Sequence, residues 1–396
     1  MNFVFISPNF PERYYKFTEA LKRVGFNVLG IGDCPYNNLH PRTRNSLTEY
    51  YACWQMENIY SKEEALRYFE NKYGHIDYLE SNNEYWLESD SHLREKFNIT
   101  TGQYPQDMLK IQSKIEMKKY FEKAGAKVAR YIVADDFEKC KEFISKVGYP
   151  TFIKPVVGVG AQKTYKIKCL DDLINFFNEK DSSNYMMEEY LDGEIVSFDG
   201  VCNSNSEVVF AVSEHFPTPI DIVLNNQQDN FYYCDPNIPS DFYEIGTNVV
   251  KSFGIKKRYF HIEFFKLKND KEGLGKKGDY IALECNMRAP GGTTPDLINF
   301  ASSVSSYDIW ADVMMFDENR QDMSHEKYIA MAFTRRDRFN YVNSDYDICL
   351  KYHNNVCMSG RTPAALADAL GDSYFYAKFK NMDEAMEFVK YCSLKY

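Results

Sequence analysis

Apolar and polar positions along the chain change period several times, and the order of those changes predicts the fold. Phe3 to Ser7 is a short apolar run of strand type. After a Pro-containing turn, Tyr14 to Val24 carries apolar residues at helical spacing, Gly25 ends it, and Asn27 to Ile31 is a second strand. This is the βαβ opening of a parallel sheet. The stretch SKEEALRYFENKYG predicts a helix capped by Ser61 and stopped by Gly74, and HIDYLES predicts a further strand. The first hundred residues therefore read as a Rossmann-like layer, without the GxGxxG fingerprint of a dinucleotide site.

From Asp107 the pattern changes. One long helix, DMLKIQSKIEMKKYFEKAG, precedes VARYIV, a helix DFEKCKEFISKVG, the strand-rich YPTFIKPVVGVGAQKTYKI and a helix over 170–179. Strands then dominate from YMMEEYLDGEIVSFDGVC onwards. The tail from Met331, ending in MDEAMEFVKYC, reads as an added α/β piece. The expected class is α/β (α+β), divided at 1–106, 107–187 and 188–396.

Two strands deserve separate treatment. RYFHIEFFKLK and IALECNMRAPGG flank the polar loop NDKEGLGKKG and read as a β-hairpin. Alternation puts Glu284, Asn286 and Arg288 on one face and Leu283, Cys285 and Met287 on the other, with like residues spaced by about 6.6 Å. A loop symmetric about 273 and 274 places Glu263 opposite Glu284 and His261 opposite Asn286. Opposed carboxylates repel, and the arrangement makes sense mainly around a shared cation. The alternative is a solvated hairpin face in another register, set by a bulge.

Composition narrows the function. The 396 residues allow two or three domains, and a net charge of −10 argues against nucleic acid, since the basic clusters KKR (256–258) and RRDR (335–338) are short and separated. No apolar run approaches the roughly 18 residues of a membrane span, and the start MNFVFISPNF lacks the pattern of a signal peptide, so a cytoplasmic location is expected. The ten cysteines show no CxxC and are expected to stay reduced.

In FIKPVVGVGAQKT, Lys154 ends a strand that leads into Gly158 and Gly160, a way of presenting a point charge and free N–H groups to phosphate. The stretch is not a Walker A loop, because Gln162 stands where a glycine is required. By itself such a Gly-rich hairpin is more often structural.

The combination is more specific. Lys114 on a helix, Lys154 with its glycine turn, MEEYLDGE, Glu263 and ECNMR, in that order over about residues 107–292, resemble the ATP-grasp superfamily. The resemblance implies that Lys114 and Lys154 contact ATP phosphates beneath a lid from Gly158 to Thr164. It implies that Glu188, Glu189, Tyr190 and Leu191 meet the adenine edge. Glu194 is the expected ribose ligand, although the common pattern puts that acid where Ile195 stands. His261 is grouped with the ATP contacts. Glu263, Glu284 and Asn286 are implied to hold Mg2+, with Mn2+ an allowed substitute, and Arg288 to hold the transferring phosphoryl group or the substrate carboxylate. Gly291 and Gly292 would permit close approach there.

Within the superfamily the organisation resembles stand-alone carboxylate-amine ligases, including amino-acid ligases, which work through an acyl phosphate and release ADP and phosphate. The expected partners are a small-molecule carboxylate and an amine, with a homodimer allowed. A carboxylase or purine-pathway enzyme is the enzymatic alternative, and a non-catalytic nucleotide sensor is the other. The segment 213–244, including His215, reads either as a wall of the substrate pocket or as a structural loop.

Overall fold

The strand Asn2–Ile6 serves two cores at once, because its alternate side chains point to opposite faces. Phe3 and Phe5 pack with Phe17 and Trp310, while Val4 and Ile6 pack with Leu66 and Phe69. It lies in a parallel four-stranded sheet in the order Glu49–Ala52, Asn27–Gly32, Asn2–Ile6, Tyr78–Glu80. Trp310 belongs to the helix Ser306–Phe316, so this N-terminal layer shares a core with the C-terminal half of the chain. The computed structural model describes residues 1–158, 163–218, 228–362, 367 and 371–396. Gly160 and most of the expected lid lie outside the described residues, as do 219–227 of the expected pocket wall.

Two expected helices differ in detail. The helix Ile59–Tyr73 is capped by Asn58, whose side chain accepts from the Tyr60 N–H at 3.0 Å, rather than by Ser61. Asn58 is an equally good cap, and it stands three residues earlier. The single helix expected from Asp107 is two helices, Pro105–Gln112 and Lys114–Lys123. Ser113 breaks it with extended backbone angles, and its hydroxyl accepts from the Glu116 N–H. Tertiary bonding overrides the continuous helical pattern here, since Ser113 bridges to Val157 and the Lys114 N–H donates to Val156 O at 2.8 Å. The break puts Lys114 at a helix start beside the glycine turn.

Among the described residues there are two further sheets. A small antiparallel one runs Tyr131–Val133, Tyr185–Glu189, Thr151–Pro155, Tyr165–Ile167. The other has nine strands, with Gly193–Cys202, Arg258–Leu267 and Tyr280–Asn286 adjacent near one end and Lys127–Val128 added in parallel at that edge. The tail is not a separate piece: Ile329–Arg335, Val356–Arg361 and Ser373–Phe379 complete the nine-stranded sheet at its other edge. The 213–244 segment likewise contributes sheet and helix, Asn230–Asp235 and Ser240–Phe253.

One face of the large sheet buries Phe198, Phe260, Ile262, Phe264 and Cys285 against Met117, Phe121, Val249 and Phe253 of two helices. Each such large side chain contributes roughly 1.5–3 kcal/mol on burial. This packing fixes which residues face the other way. The ten cysteines are unpaired. No helix among the described residues is long and apolar enough to cross a membrane.

Candidate active site

The face opposite that core carries two polar rows running across neighbouring strands. Glu284 is opposite Glu263, Glu263 opposite Ser197, and Ser197 opposite Glu214. In the next row Asn286 is opposite His261 and His261 opposite Asp199. The register expected from a symmetric loop therefore holds at both site pairs. A bulge at Leu283 shifts it by one towards the loop, pairing Phe264 with Ala282. That extra residue keeps Phe264 and Ala282 on the core face while Glu284 stays on the polar one.

His261 organises the rows. Its Nδ1 bonds Asp199 Oδ1, and its Nε2 bonds Glu263 Oε1 at 3.1 Å. Burial disfavours the imidazolium, but Asp199 and Glu263 outweigh it and raise the His261 pKa well above its ordinary value. Burial also opposes ionisation of Glu263, yet the hydrogen bond and charge of His261, with Arg288 and Lys154 beyond, hold its pKa down. Glu284 is pushed up by burial and by the facing Glu263, against the pull of Lys114. Two carboxylates forced together in this way, with an amide one row on, are a hard oxygen set and suit a divalent cation such as magnesium.

The lysines converge on the same place. Lys114 Nζ donates to the Gly158 carbonyl at 2.8 Å and lies 3.7 Å from Glu284. Lys154 pairs with Glu188, which Lys118 holds from another side at 2.6 Å. Burial alone would raise the Glu188 carboxyl, but Lys154 and Lys118 together bring it down to about 2. Glu188 thus acts through its side chain on the lysines. Glu189 is gripped by Arg130, whose Nε and backbone N–H donate at 3.0 and 2.8 Å. Tyr190 and Leu191 follow as the chain passes from the small sheet to the large one.

Arg288 lies two residues past the strand. Its side chain reaches Glu84 of the N-terminal layer and the Ala289 carbonyl at 2.9 Å. Gly292 adopts φ +62°, and a Cβ at Gly291 or Gly292 would meet nothing within 4 Å, so the turn is open before the helix Thr294–Ser302. Glu194 and His215 lie elsewhere. Strand alternation puts them on the Val196 side of the large sheet, away from the polar rows. They pair at 3.3 Å, and His215 stacks on Tyr233 with centroids 4.6 Å apart.

Five residues at or beside the site escaped the sequence analysis: Glu84, Lys118, Asp199, Glu214 and Arg130. Ser197 and Asp199 in EIVSFDGV alternate as Glu284 and Asn286 do, which was a usable signal. Glu214 is wholly buried, neither of its carboxylate oxygens has a hydrogen-bond partner among the described residues, and side-chain nitrogen or oxygen atoms of Asp199, Glu214 and His261 lie within 4.8 Å of one another. Burial first, then Asp199, pushes the Glu214 pKa well up.

No family model matches the chain. Over 255 residues it is 22% identical to an L-arginine-specific L-amino acid ligase of Bacillus subtilis, an alignment that covers 62% of this chain and 59% of that protein. Its structure matches that of an L-amino acid ligase from Bacillus licheniformis with a TM-score of 0.71 at 12% identity, over 98% of this chain and 96% of the other. It also matches a phosphoribosylglycinamide synthetase from Anaerococcus prevotii, with a TM-score of 0.68 at 14% identity over 98% and 96% of the two chains. The chain has the fold of the ATP-grasp superfamily.

Proposed function

We propose that the protein is a cytoplasmic, ATP-dependent carboxylate-amine ligase that activates an amino-acid carboxylate as an acyl phosphate and releases ADP and phosphate. The observation that carries this reading is the opposed pair Glu263 and Glu284, with Asn286 one row on and Lys114 and Lys154 beside them, in an ATP-grasp fold. The similarity to amino-acid ligases supports the amide-forming branch.

In this reading residues 107–187 and 188–396 are the two lobes around ATP. Lys114 and Lys154 neutralise phosphate oxygens, and the backbone of Glu188 to Leu191 borders the adenine. Lys154 exchanges its contact with Glu188 for the nucleotide. Glu263, Glu284 and Asn286 would hold magnesium, which when bound screens the negative charge that otherwise repels a carboxylate from a polyphosphate. Arg288 orients the substrate carboxylate. A carboxylate oxygen forms a bond to the γ-phosphorus as the bond to the bridging oxygen breaks, and ADP leaves with that electron pair. The amine nitrogen then attacks the acyl carbon, phosphate departs with the bonding pair, and the nitrogen loses a proton.

The test is ADP release with ATP, magnesium and pooled amino acids, followed by ¹⁸O labelling of the substrate carboxylate. One label is expected in the released phosphate. AMP and pyrophosphate, or unlabelled phosphate despite turnover, would reject the acyl phosphate. ADP release driven by bicarbonate without an added amine would replace the ligase by a carboxylating enzyme.

A further inference from the structure

Arg288 does not wait at the site as a free cation. It is paired with Glu84, 204 residues earlier in the chain and contributed by another layer of the fold. Both partners are partly open, at 15% and 29% side-chain exposure, and the Arg288 Nε has no hydrogen-bond partner among the described residues. A guanidinium with one edge on a carboxylate and an unused donor can exchange that carboxylate for another.

Glu84 is a placed charge. It follows the strand Tyr78–Glu80, at the C-terminal end of the parallel sheet, where open α/β sheets bind ligands. The Tyr14 hydroxyl donates to Asn82 O at 2.8 Å, the Asn83 N–H donates to Ser81 Oγ at 3.2 Å, and the Asn83 side chain accepts from the Tyr85 N–H at 3.1 Å. Trp86, two residues on, is anchored in the core.

We propose that Glu84 and Arg288 form the two halves of a subsite for an α-amino acid zwitterion, the pair opening to place the substrate ammonium on Glu84 and its carboxylate on Arg288. One carbon separates the two charged groups of such a substrate, and the two side chains are in contact, so the spacing suits insertion between them. A carboxylate lacking the amino group would have to break the pair and leave Glu84 without a partner, at a cost that the ammonium removes. Holding the ammonium on Glu84 also keeps the donor amine protonated, so that it does not compete with the acceptor amine. This inference rests on the ligase reading for the role of Arg288 and adds the residue that selects amino acids.

The experiment uses the full chain, with L-amino acids and their des-amino counterparts as probes. Calorimetric titration in the presence of magnesium and a non-hydrolysable ATP analogue reads binding without turnover. ADP release with hydroxylamine as nucleophile reads the reaction. Glu84→Gln should weaken amino-acid binding at least tenfold and raise the corresponding KM, while the des-amino acid binds at least as well as to the wild type, because no pair has to be broken. Glu84→Asp should recover part of the loss. Equal weakening of both probes, or no change in either, would overturn the proposal and leave a structural ion pair between layers. If no carboxylate supports ADP release by the wild-type protein, the ligase reading fails, and the calorimetric comparison still decides the role of Glu84.

Discussion

Glu263 and Glu284 stand directly opposite each other on antiparallel strands, one carboxylate kept ionised against burial by His261, the other pushed up by burial and by its neighbour. Such a pair is costly unless a cation neutralises it.

Glu284→Gln should therefore behave oppositely in two assays. In chelator-treated buffer its thermal stability should equal or exceed that of the wild type, because a facing charge is gone. The rise in Tm on adding magnesium and nucleotide should be lost, and ADP release should fall by about 10²-fold or more. Differential scanning fluorimetry and a coupled ADP assay check both. A variant keeping over about a tenth of the wild-type rate would remove Glu284 from the proposed metal site.

Lys118 and Lys154 share Glu188 but should fail differently. Lys118 is almost wholly buried, and Lys118→Ala leaves Glu188 under-compensated in the interior. Urea denaturation should show a loss near the lower end of roughly 3–5 kcal/mol, because Lys154 remains. Lys154→Ala should cost less stability and instead weaken binding of an ATP analogue, measured by calorimetry.

Glu188 also predicts an acid dependence. Its carboxyl titrates at about 2 in the folded protein against an ordinary 4.5, so its stabilising contribution is complete above pH 4.5 and is lost as the pH falls towards 2. The stability difference between wild type and Glu188→Gln should shrink across that window. Glu214 has the opposite sign, since its folded pKa is raised well above 4.5. Its ionisation costs stability as pH rises from 4.5, so Glu214→Gln should gain on the wild type with increasing pH. Tm profiles of the three proteins from pH 3 to about 8, the range around ordinary carboxyl and histidine values, test both signs.

Arg288→Lys should keep the fold and lose activity. An ammonium retains the charge but not the planar fork that reaches Glu84 and the Ala289 carbonyl together. A fall in kcat/KM of about tenfold or more is expected, equivalent to about 1.4 kcal/mol, with unchanged Tm. Unaltered kinetics would make Arg288 a structural partner of Glu84.

Much of the site was legible because it is written in local period. Glu284 and Asn286 share a face by strand alternation, and a symmetric hairpin pairs them with Glu263 and His261, although the bulge at Leu283 is what gives the strands that register. The βαβ opening was likewise readable from spacing alone, and the ATP-grasp likeness followed from the order of a few motifs. Tertiary structure decided what depends on distant partners. The helix expected from Asp107 breaks at Ser113 because the backbone there bonds to Val156 and Val157, beyond the reach of any helical pattern. Lys118 meets Glu188, and Arg288 meets Glu84, only after three sheets have been brought together. Glu194 and His215 fall on the far side of the large sheet because the packing of Val196 and Phe198 chooses that face for the core. Periodicity states which residues lie together on a strand; which face turns inward, and which charge from another layer meets it, is settled by where burial gains most.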